Sequence, residues 1–495
     1  MMISSEKICG VVAASTAGEM WRDLTKALRR TRTVELRLDY LTSEGEIGKF
    51  LKKLGSARPR ATLIATCRRR AAGGHYRGSP AKQLLHLSEA LRSGCQWFDL
   101  DIETARLVPR ELLSVLLADG KMLASAHFFR SMPKGLREVA AELDRLRPSA
   151  IKIAAVCGSL GECLRVMRVA KGRRDVVAIP MGEAALPARI LSTRQGSALA
   201  YAAVTEATAP GQVSLEEMLD VYRAGHLTKK TRVYGVIGNP IGHSLSPQMH
   251  NAAFEARRID GVYLPFLVRD LRDFAGAIPH LGVRGFSVTI PHKQAILRFL
   301  DGCDPLARAI GAVNTVVVRG GGKLYGYNTD YVGVLTALSR RIPLRGSRVL
   351  IVGAGGAARA VAFALGESGA SVCIAARRIS RAKALARDAG GEALERREVR
   401  RQFFDAIVNA TPVGMHPHDD ASPLEATELN CRLVFDTIYR PQQTKLLRLA
   451  ARRHIETVSG VEMFLAQGAA QWEIWTGERA PVAVMRRAVV WALSE

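Results

Sequence analysis

The first 210 residues alternate eight short apolar, β-rich runs with helix-like stretches, a rhythm that few architectures accommodate. The runs are KICGVVAA (7–14), VELRLDY (34–40), ATLIATCR (61–68), WFDLDIE (97–103), KMLASAHF (121–128), AIKIAAVC (150–157), VVAIPMG (176–182) and SALAYAAV (197–204). Between them, segments such as SPAKQLLHLSEALRSG and LREVAAELDRLR carry apolar residues at three- and four-residue spacing, as amphipathic helices do. Eight βα units in about 220 residues predict a (β/α)8 TIM barrel. An open doubly wound sheet is the alternative, but these strands lack a glycine-rich phosphate turn.

A chain of 495 residues exceeds one core and suits two to four domains. No run of eighteen apolar residues occurs, and the N-terminal residues lack a basic-then-apolar leader, so neither a membrane partner nor a targeting segment is expected. Eight scattered cysteines without a C-x-x-C pair predict reduced thiols in a cytoplasmic setting and no metal site. The net charge of +25 is large, but its arginines are spread through every segment without interleaved aromatics. That distribution predicts a solvated basic surface favouring anionic metabolites, with no nucleic-acid partner. Oligomeric state stays open.

In a barrel, reacting groups project from the C-terminal ends of the strands. Those ends offer Glu35 and Arg37, then Arg68, Glu103, His127 and Lys152, with Arg189 after the seventh strand and Thr208 and Gln212 after the eighth. Lys152 interrupts a strand expected to be buried on both faces. Burial disfavours a charged amine, and a neutral amine attacks a carbonyl. A lysine snorkelling to the rim would look the same in sequence, and His127 and Glu103 taken singly fit a core histidine and a helix-starting acid. Together, amine, base, carboxylate and guanidinium suit Schiff-base chemistry on an oxo-acid.

The motifs DLDIE, ASAHF, IKIA and APGQ, in this order and on these strands, resemble type I 3-dehydroquinate dehydratase over roughly residues 7–225. The resemblance implies that Lys152 forms an imine with the C3 ketone, that His127 removes a C2 proton and assists loss of the C1 hydroxyl, and that Glu103 orients His127. It also implies that Arg189 clamps the substrate carboxylate, while Glu35, Arg37, Arg68, Thr208 and Gln212 hold the rest of the substrate. The loop RRRAAGGHYRG and the segment MGEAALPAR depart from the family pattern.

Residues 214–231 read as one last helix running into a short basic linker. Beyond it, VLIVGAGGAARA (349–360) is a buried strand, a glycine turn and a helix start. Gly353 suits the tight turn, Gly355 a close backbone approach of pyrophosphate, and Ala358 close helix packing. The next strand, VCIAARR, ends in Arg377 and Arg378 where an acid would favour NAD, so NADP is expected.

GNPIGHSLSPQMH (238–250), FSVTIPHK, GAVNTV, YNTD, NATPVGM, DTIYRPQQT and GVEMFLAQGA resemble shikimate dehydrogenase motif by motif over about 232–495. The resemblance implies Ser244, Ser246, Thr289, Asn314, Tyr439 and Gln467 around the substrate ring, with Lys293 as proton donor and Asp330 polarising it. It implies NADP(H) contacts from Gly353, Ala354, Gly355, Gly356, Ala357, Arg377, Arg378, Thr411, Met415 and Gly460. The family's Asn-Arg-Thr clamp is replaced by Ala376, Arg377 and Arg378, with Arg381 as an added member.

The expected organisation is a barrel over 1–226, a substrate-binding α/β domain over 232–335 with helices 461–495 packing back onto it, and a Rossmann domain over 336–460. The expected function is two consecutive steps of the shikimate pathway, with small-molecule substrates, NADP(H), no metal and a covalent lysine imine. Alternatives are a metabolite-sensing regulator built on enzyme domains, or a quinate-preferring second half.

Overall fold

The computed structural model describes residues 3, 6–205 and 211–494. They form two compact units, Met1–Thr231 with Phe266–Leu281, and Arg232–Pro265 with Gly282–Glu495. Residues 266–281 thus group with the first unit, where Asp273 accepts hydrogen bonds from the amides of Leu160 and Gly161 at the start of helix Leu160–Arg168 (2.8 and 3.0 Å).

In the first unit the eight runs fold as β1 (Ile8–Val12), β2 (Thr33–Arg37), β3 (Thr62–Thr66), β4 (Trp97–Asp101), β5 (Lys121–Phe128), β6 (Ala150–Val156), β7 (Val176–Met181) and β8 (Ala200–Ala203). All are parallel, in the ladder order β7-β6-β5-β4-β3-β2-β1-β8. The two edges approach each other, with Ala198 N donating to Val176 O (2.8 Å) and Ala178 N to Ser197 Oγ (3.0 Å). The sheet is a near-closed TIM-like barrel.

Alternate side chains of a strand share one face, and here that face is the interior. Cys9, Ile64, Trp97, Leu123, Ala150, Val177 and Leu199 pack as an apolar plug. Two residues further along the same strands, the inward series continues with Thr66, Asp99, Ser125 and Lys152, all buried. The polar site therefore sits on top of the plug.

The expected single helix over 214–231 is shorter. A π-helical turn covers Glu217–Val221, and a 3-10 turn covers Ala224–His226. Arg223 between them has a left-handed φ of 48°, which no continuous helix allows.

The second unit holds two sheets. The first joins β9 (Arg232–Gly238), β10 (Gly261–Leu267), β11 (Val283–Val288), β12 (Gly302–Cys303), β13 (Thr315–Val318) and β14 (Leu324–Tyr327), in the order β10-β9-β11-β13-β14-β12. The second joins β15 (Arg348–Val352), β16 (Ser371–Ala375), β17 (Glu392–Ala393), β18 (Phe404–Asn409), β19 (Cys431–Asp436) and β20 (Glu456–Val458), in the order β17-β16-β15-β18-β19-β20. Counted from β15 this is 3-2-1-4-5-6, the Rossmann order, whose chain reversal between β15 and β18 opens a crevice for a dinucleotide. Helix Gly460–Thr476 returns to the first of these sheets, where Trp475 Nε1 donates to Val316 O (3.1 Å).

Candidate active sites

The barrel cavity is small, about 50 Å³, and is lined by Glu35, Arg37, Arg68, His127, Lys152, Arg189, Tyr201 and Gln212 among others. Lys152 is 2 % exposed and paired with two carboxylates. Its Nζ lies 2.7 Å from Glu35 Oε1 and 2.5 Å from Asp99 Oδ2. Asp99 also accepts from Arg68 Nη2 (3.0 Å) and Ser125 Oγ (2.7 Å), and Glu35 accepts from Thr66 Oγ1 (2.8 Å). Arg37 forms a two-pronged pair with Asp39 at 2.9 and 2.8 Å. Burial alone would raise the Asp99 carboxyl, but Lys152 and Arg68 outweigh it and hold it well below the usual range.

Three anions, Glu35, Asp39 and Asp99, thus balance three cations, Arg37, Arg68 and Lys152. Arg189 is left over. It sits on the short helix Leu186–Ile190, 4 % exposed, with Nη1 unpartnered among the described residues. Burial pulls its pKa down to about 10, so it stays charged at neutral pH. A buried guanidinium without an anion is costly and awaits one from a ligand.

His127 Nδ1 is buried and unpartnered. Burial first, then the Arg68 and Lys152 cations, pull its pKa well below the ordinary value, so the ring is a neutral base. Phe129 stacks on the imidazole with centroids 5.9 Å apart, and a Cβ at Gly73 would lie 2.3 Å from the Phe129 ring. The loops after β3 and β5 thereby roof the cavity.

Most of the barrel residues expected from the sequence converge, with two exceptions. Thr208 lies outside the described residues. Glu103 is not among the residues lining the cavity. Strand β4 stops at Asp101, whose carboxylate caps the short helix Ile102–Ala105 by accepting from Thr104 N (2.7 Å), and this turn carries Glu103 off the strand. Asp99 takes the place beside Lys152 and His127. Sequence reasoning missed it, although the two-residue period from Trp97 points to Asp99 before Glu103.

In the second unit a cleft of about 810 Å³ is lined by Ser244, Ser246, Thr289, Lys293, Asn314, Asp330, Tyr439 and Gln467, every substrate-side residue expected there. Lys293 Nζ lies 2.5 Å from Asp330 Oδ2, and Asn314 Nδ2 donates to the other carboxylate oxygen at 2.8 Å. Ser246 starts helix Ser246–Ala256, and its amide donates to Ser244 Oγ (3.3 Å). Tyr439 stacks on Phe464 with centroids 4.3 Å apart. Ser287 and Gln471 were missed. Ser287 Oγ donates to Gln471 Oε1 (2.8 Å) and bonds Tyr263 Oη (2.6 Å), and it shares the strand face of Thr289 two residues on.

Beside the cleft, Gly353 has φ 127°, and a Cβ there would lie 2.9 Å from Ala410 O. Gly355 caps helix Gly356–Glu367, leaving the amides of Gly356 and Ala357 in its first turn at the crevice. A Cβ at Gly460 would lie 2.4 Å from Thr437 O. Thr411 is fixed by its hydroxyl on Asn409 Oδ1 (2.7 Å), and Met415 lines the cleft. Arg377, Arg378 and Arg381 are exposed at the end of β16, and none of the ion pairs among the described residues involves them. A phosphate-bearing dinucleotide fits this turn and these cations. No cluster of metal-ligating side chains occurs among the described residues.

Comparison with known proteins agrees with this division. Residues 8–229 match the model for type I 3-dehydroquinase. Residues 236–316 match the shikimate dehydrogenase substrate-binding domain, 336–413 the shikimate/quinate 5-dehydrogenase family, and 460–490 the shikimate 5'-dehydrogenase C-terminal domain. A bifunctional 3-dehydroquinate dehydratase/shikimate dehydrogenase of Arabidopsis thaliana, a chloroplastic protein, is 34% identical over 96% of this chain and 82% of its own length. A shikimate dehydrogenase (NADP(+)) of Methanothermobacter thermautotrophicus is 45% identical over 53% of this chain and 97% of its own. A crystal structure of a shikimate dehydrogenase in complex with NADP+ superposes with a TM-score of 0.52 at 38% identity, covering 54% of this chain and 98% of that one.

Proposed function

Because the chain belongs to the family of bifunctional 3-dehydroquinate dehydratase/shikimate dehydrogenases, we propose a division of work among its residues for two consecutive reactions. The barrel dehydrates 3-dehydroquinate to 3-dehydroshikimate, and the second unit reduces that product to shikimate with NADPH.

In the barrel, Arg189 takes the substrate carboxylate and thereby gains the anion its own surroundings withhold. Lys152 Nζ bonds to the C3 ketone carbon and forms an imine. Glu35, at 2.7 Å, takes the one proton that frees the nitrogen lone pair, and Asp99 at 2.5 Å holds the amine in place. The two remaining amine hydrogens leave with the ketone oxygen as water. His127, neutral and unpartnered at Nδ1, removes the C2 proton and returns it to the departing C1 hydroxyl, which leaves as water. A water molecule then hydrolyses the C=N bond, freeing 3-dehydroshikimate and restoring the Lys152 amine. Asp99 acts on His127 through its charge in this scheme, favouring the protonated ring, with Arg37, Arg68 and Gln212 around the remaining hydroxyls.

In the second unit NADPH supplies the hydride. Gly353, Ala354, Gly355, Gly356 and Ala357 would hold its pyrophosphate, Arg377, Arg378 and Arg381 its 2′-phosphate, and Thr411, Met415 and Gly460 the neighbourhood of its reactive ring. Ser244, Ser246, Thr289, Asn314, Tyr439 and Gln467 orient the substrate. Lys293 delivers a proton to the nascent C3 alkoxide, and Asp330, fixed by Asn314, holds the ammonium in line.

The observation that carries the dehydratase assignment is the pairing of Lys152 with two carboxylates beside an unmatched Arg189. We place the barrel domain at 1–226, the substrate domain at 232–335 and the Rossmann domain at 336–460. Eight unpaired cysteines support a reducing cytoplasmic setting. One experiment tests the division: dehydroquinate with NADPH gives shikimate in the intact protein. Lys152→Ala stops that conversion but still reduces added 3-dehydroshikimate, whereas Lys293→Ala stops at 3-dehydroshikimate. Both variants retaining both steps would sink the assignment.

A further inference from the structure

Four buried polar atoms around the barrel cavity have no hydrogen-bond partner among the described residues: Arg68 Nε, His127 Nδ1, Arg189 Nη1 and Tyr201 Oη. The first three belong to residues already given a part in the reaction. Tyr201 was not expected from the sequence and has none.

Tyr201 lies on β8, in register with Cys9 on β1, and is 4 % exposed. Lys152 Nζ sits 4.7 Å from the centre of its ring. The hydroxyl reaches the Cys9 thiol and lies in the combined field of Glu35, Asp99 and Arg68. A thiol is a weak partner, and the nearby carboxylates are already engaged by Lys152, Thr66, Arg68 and Ser125. Phenylalanine would fill the same volume and keep the ring beside the amine, so packing does not account for the hydroxyl. Burial, with Cys9, Glu35 and Asp99, raises its pKa well above the ordinary value, so it keeps its proton and serves as a donor. A buried donor whose protein partner is no better than the Cys9 thiol, on the wall that carries the nucleophile, matches the oxygen that must be polarised during attack.

Resting on the imine reading above, we propose that Tyr201 is a further catalytic residue, whose hydroxyl donates a hydrogen bond to the substrate's ketone oxygen while Lys152 attacks the ketone carbon. The nitrogen lone pair forms the C–N bond, and the carbonyl π electrons move onto the oxygen. The two amine hydrogens pass to that oxygen as the C–O bond breaks, leaving the C=N bond and one water. Tyr201 keeps its own proton throughout.

The test is Tyr201→Phe in the full chain, with borohydride trapping of the enzyme–dehydroquinate adduct followed over time. The trapping rate and the dehydratase kcat/KM fall together by about tenfold to a hundredfold. The melting temperature stays within about 2 °C, and NADPH-dependent reduction of 3-dehydroshikimate is unchanged. An unaltered trapping rate overturns the proposal, including the case where turnover slows at a later step. A large fall in melting temperature also overturns it, because the hydroxyl would then act through packing. Failure to trap the wild-type protein at Lys152 is a different result, which refutes the imine reading itself.

Discussion

Removing one charge from the barrel interior tests the electrostatic argument directly. Asp99→Asn keeps the shape of the side chain but leaves Arg68, Arg37 and Lys152 facing only Glu35 and Asp39. Asp99 is 2 % exposed and engages Lys152 at 2.5 Å, Arg68 at 3.0 Å and Ser125 at 2.7 Å. Breaking a buried ion pair by neutralising one partner costs about 3–5 kcal/mol. For a unit of this size that corresponds to a melting temperature lower by about 10 °C. Because Asp99 is held below its ordinary pKa in the fold, its contribution is present above the unfolded carboxyl value of about 3.9 and is lost as pH falls further. Urea unfolding of the barrel transition between pH 2 and 7 therefore shows a gap between wild type and variant that is full and flat down to about pH 4 and shrinks only below it. An unchanged midpoint at pH 7, or a gap that does not narrow in acid, would refute the reasoning.

Three other perturbations follow from the second unit. Gly353→Ala forces a side chain onto φ 127° and to within 2.9 Å of Ala410 O, so NADPH binding measured by fluorescence titration weakens more than tenfold while dehydratase turnover is retained. Replacing Arg377 and Arg378 together by alanine raises the KM for NADPH about tenfold and leaves that for NADH nearly unchanged; equal effects on both would remove the 2′-phosphate assignment. Burial pushes the Asp436 pKa up to about 6 from 3.8. A raised carboxyl contributes stability below the unfolded value that is lost as pH rises through about 6, up to roughly 3 kcal/mol. Asp436→Asn should flatten that slope in denaturant titrations.

The sequence was most legible where chemistry and strand period coincide. Lys152, His127 and Arg68 lie on inward positions of strands that the apolar runs already delimited. The Rossmann turn was equally plain, since Gly353 and the arginines after β16 sit at fixed points of a strand–turn–helix unit. Glu103 falls outside the cavity lining because β4 ends at Asp101, although the alternation in DLDIE runs on past it. Nothing in that string announces that Asp101 caps a helix, and only the capping bond reveals it. Tyr201 and Ser287 escaped notice for another reason. Each reads as an ordinary strand residue until its hydroxyl is seen to lack a packing explanation or to join a polar network. The final helix was overextended because its apolar spacing continues past Arg223, whose left-handed backbone breaks it.

The central claim is that one buried lysine in the barrel makes the substrate of the cleft that follows. Borohydride reduction of the full chain in the presence of 3-dehydroquinate, followed by peptide mass mapping, tests it most directly. The account predicts a single reduced adduct on the peptide containing Lys152, with dehydratase activity lost in step and NADPH-dependent reduction of 3-dehydroshikimate preserved. An adduct on any other lysine, or full dehydratase activity after exhaustive reduction, would contradict it.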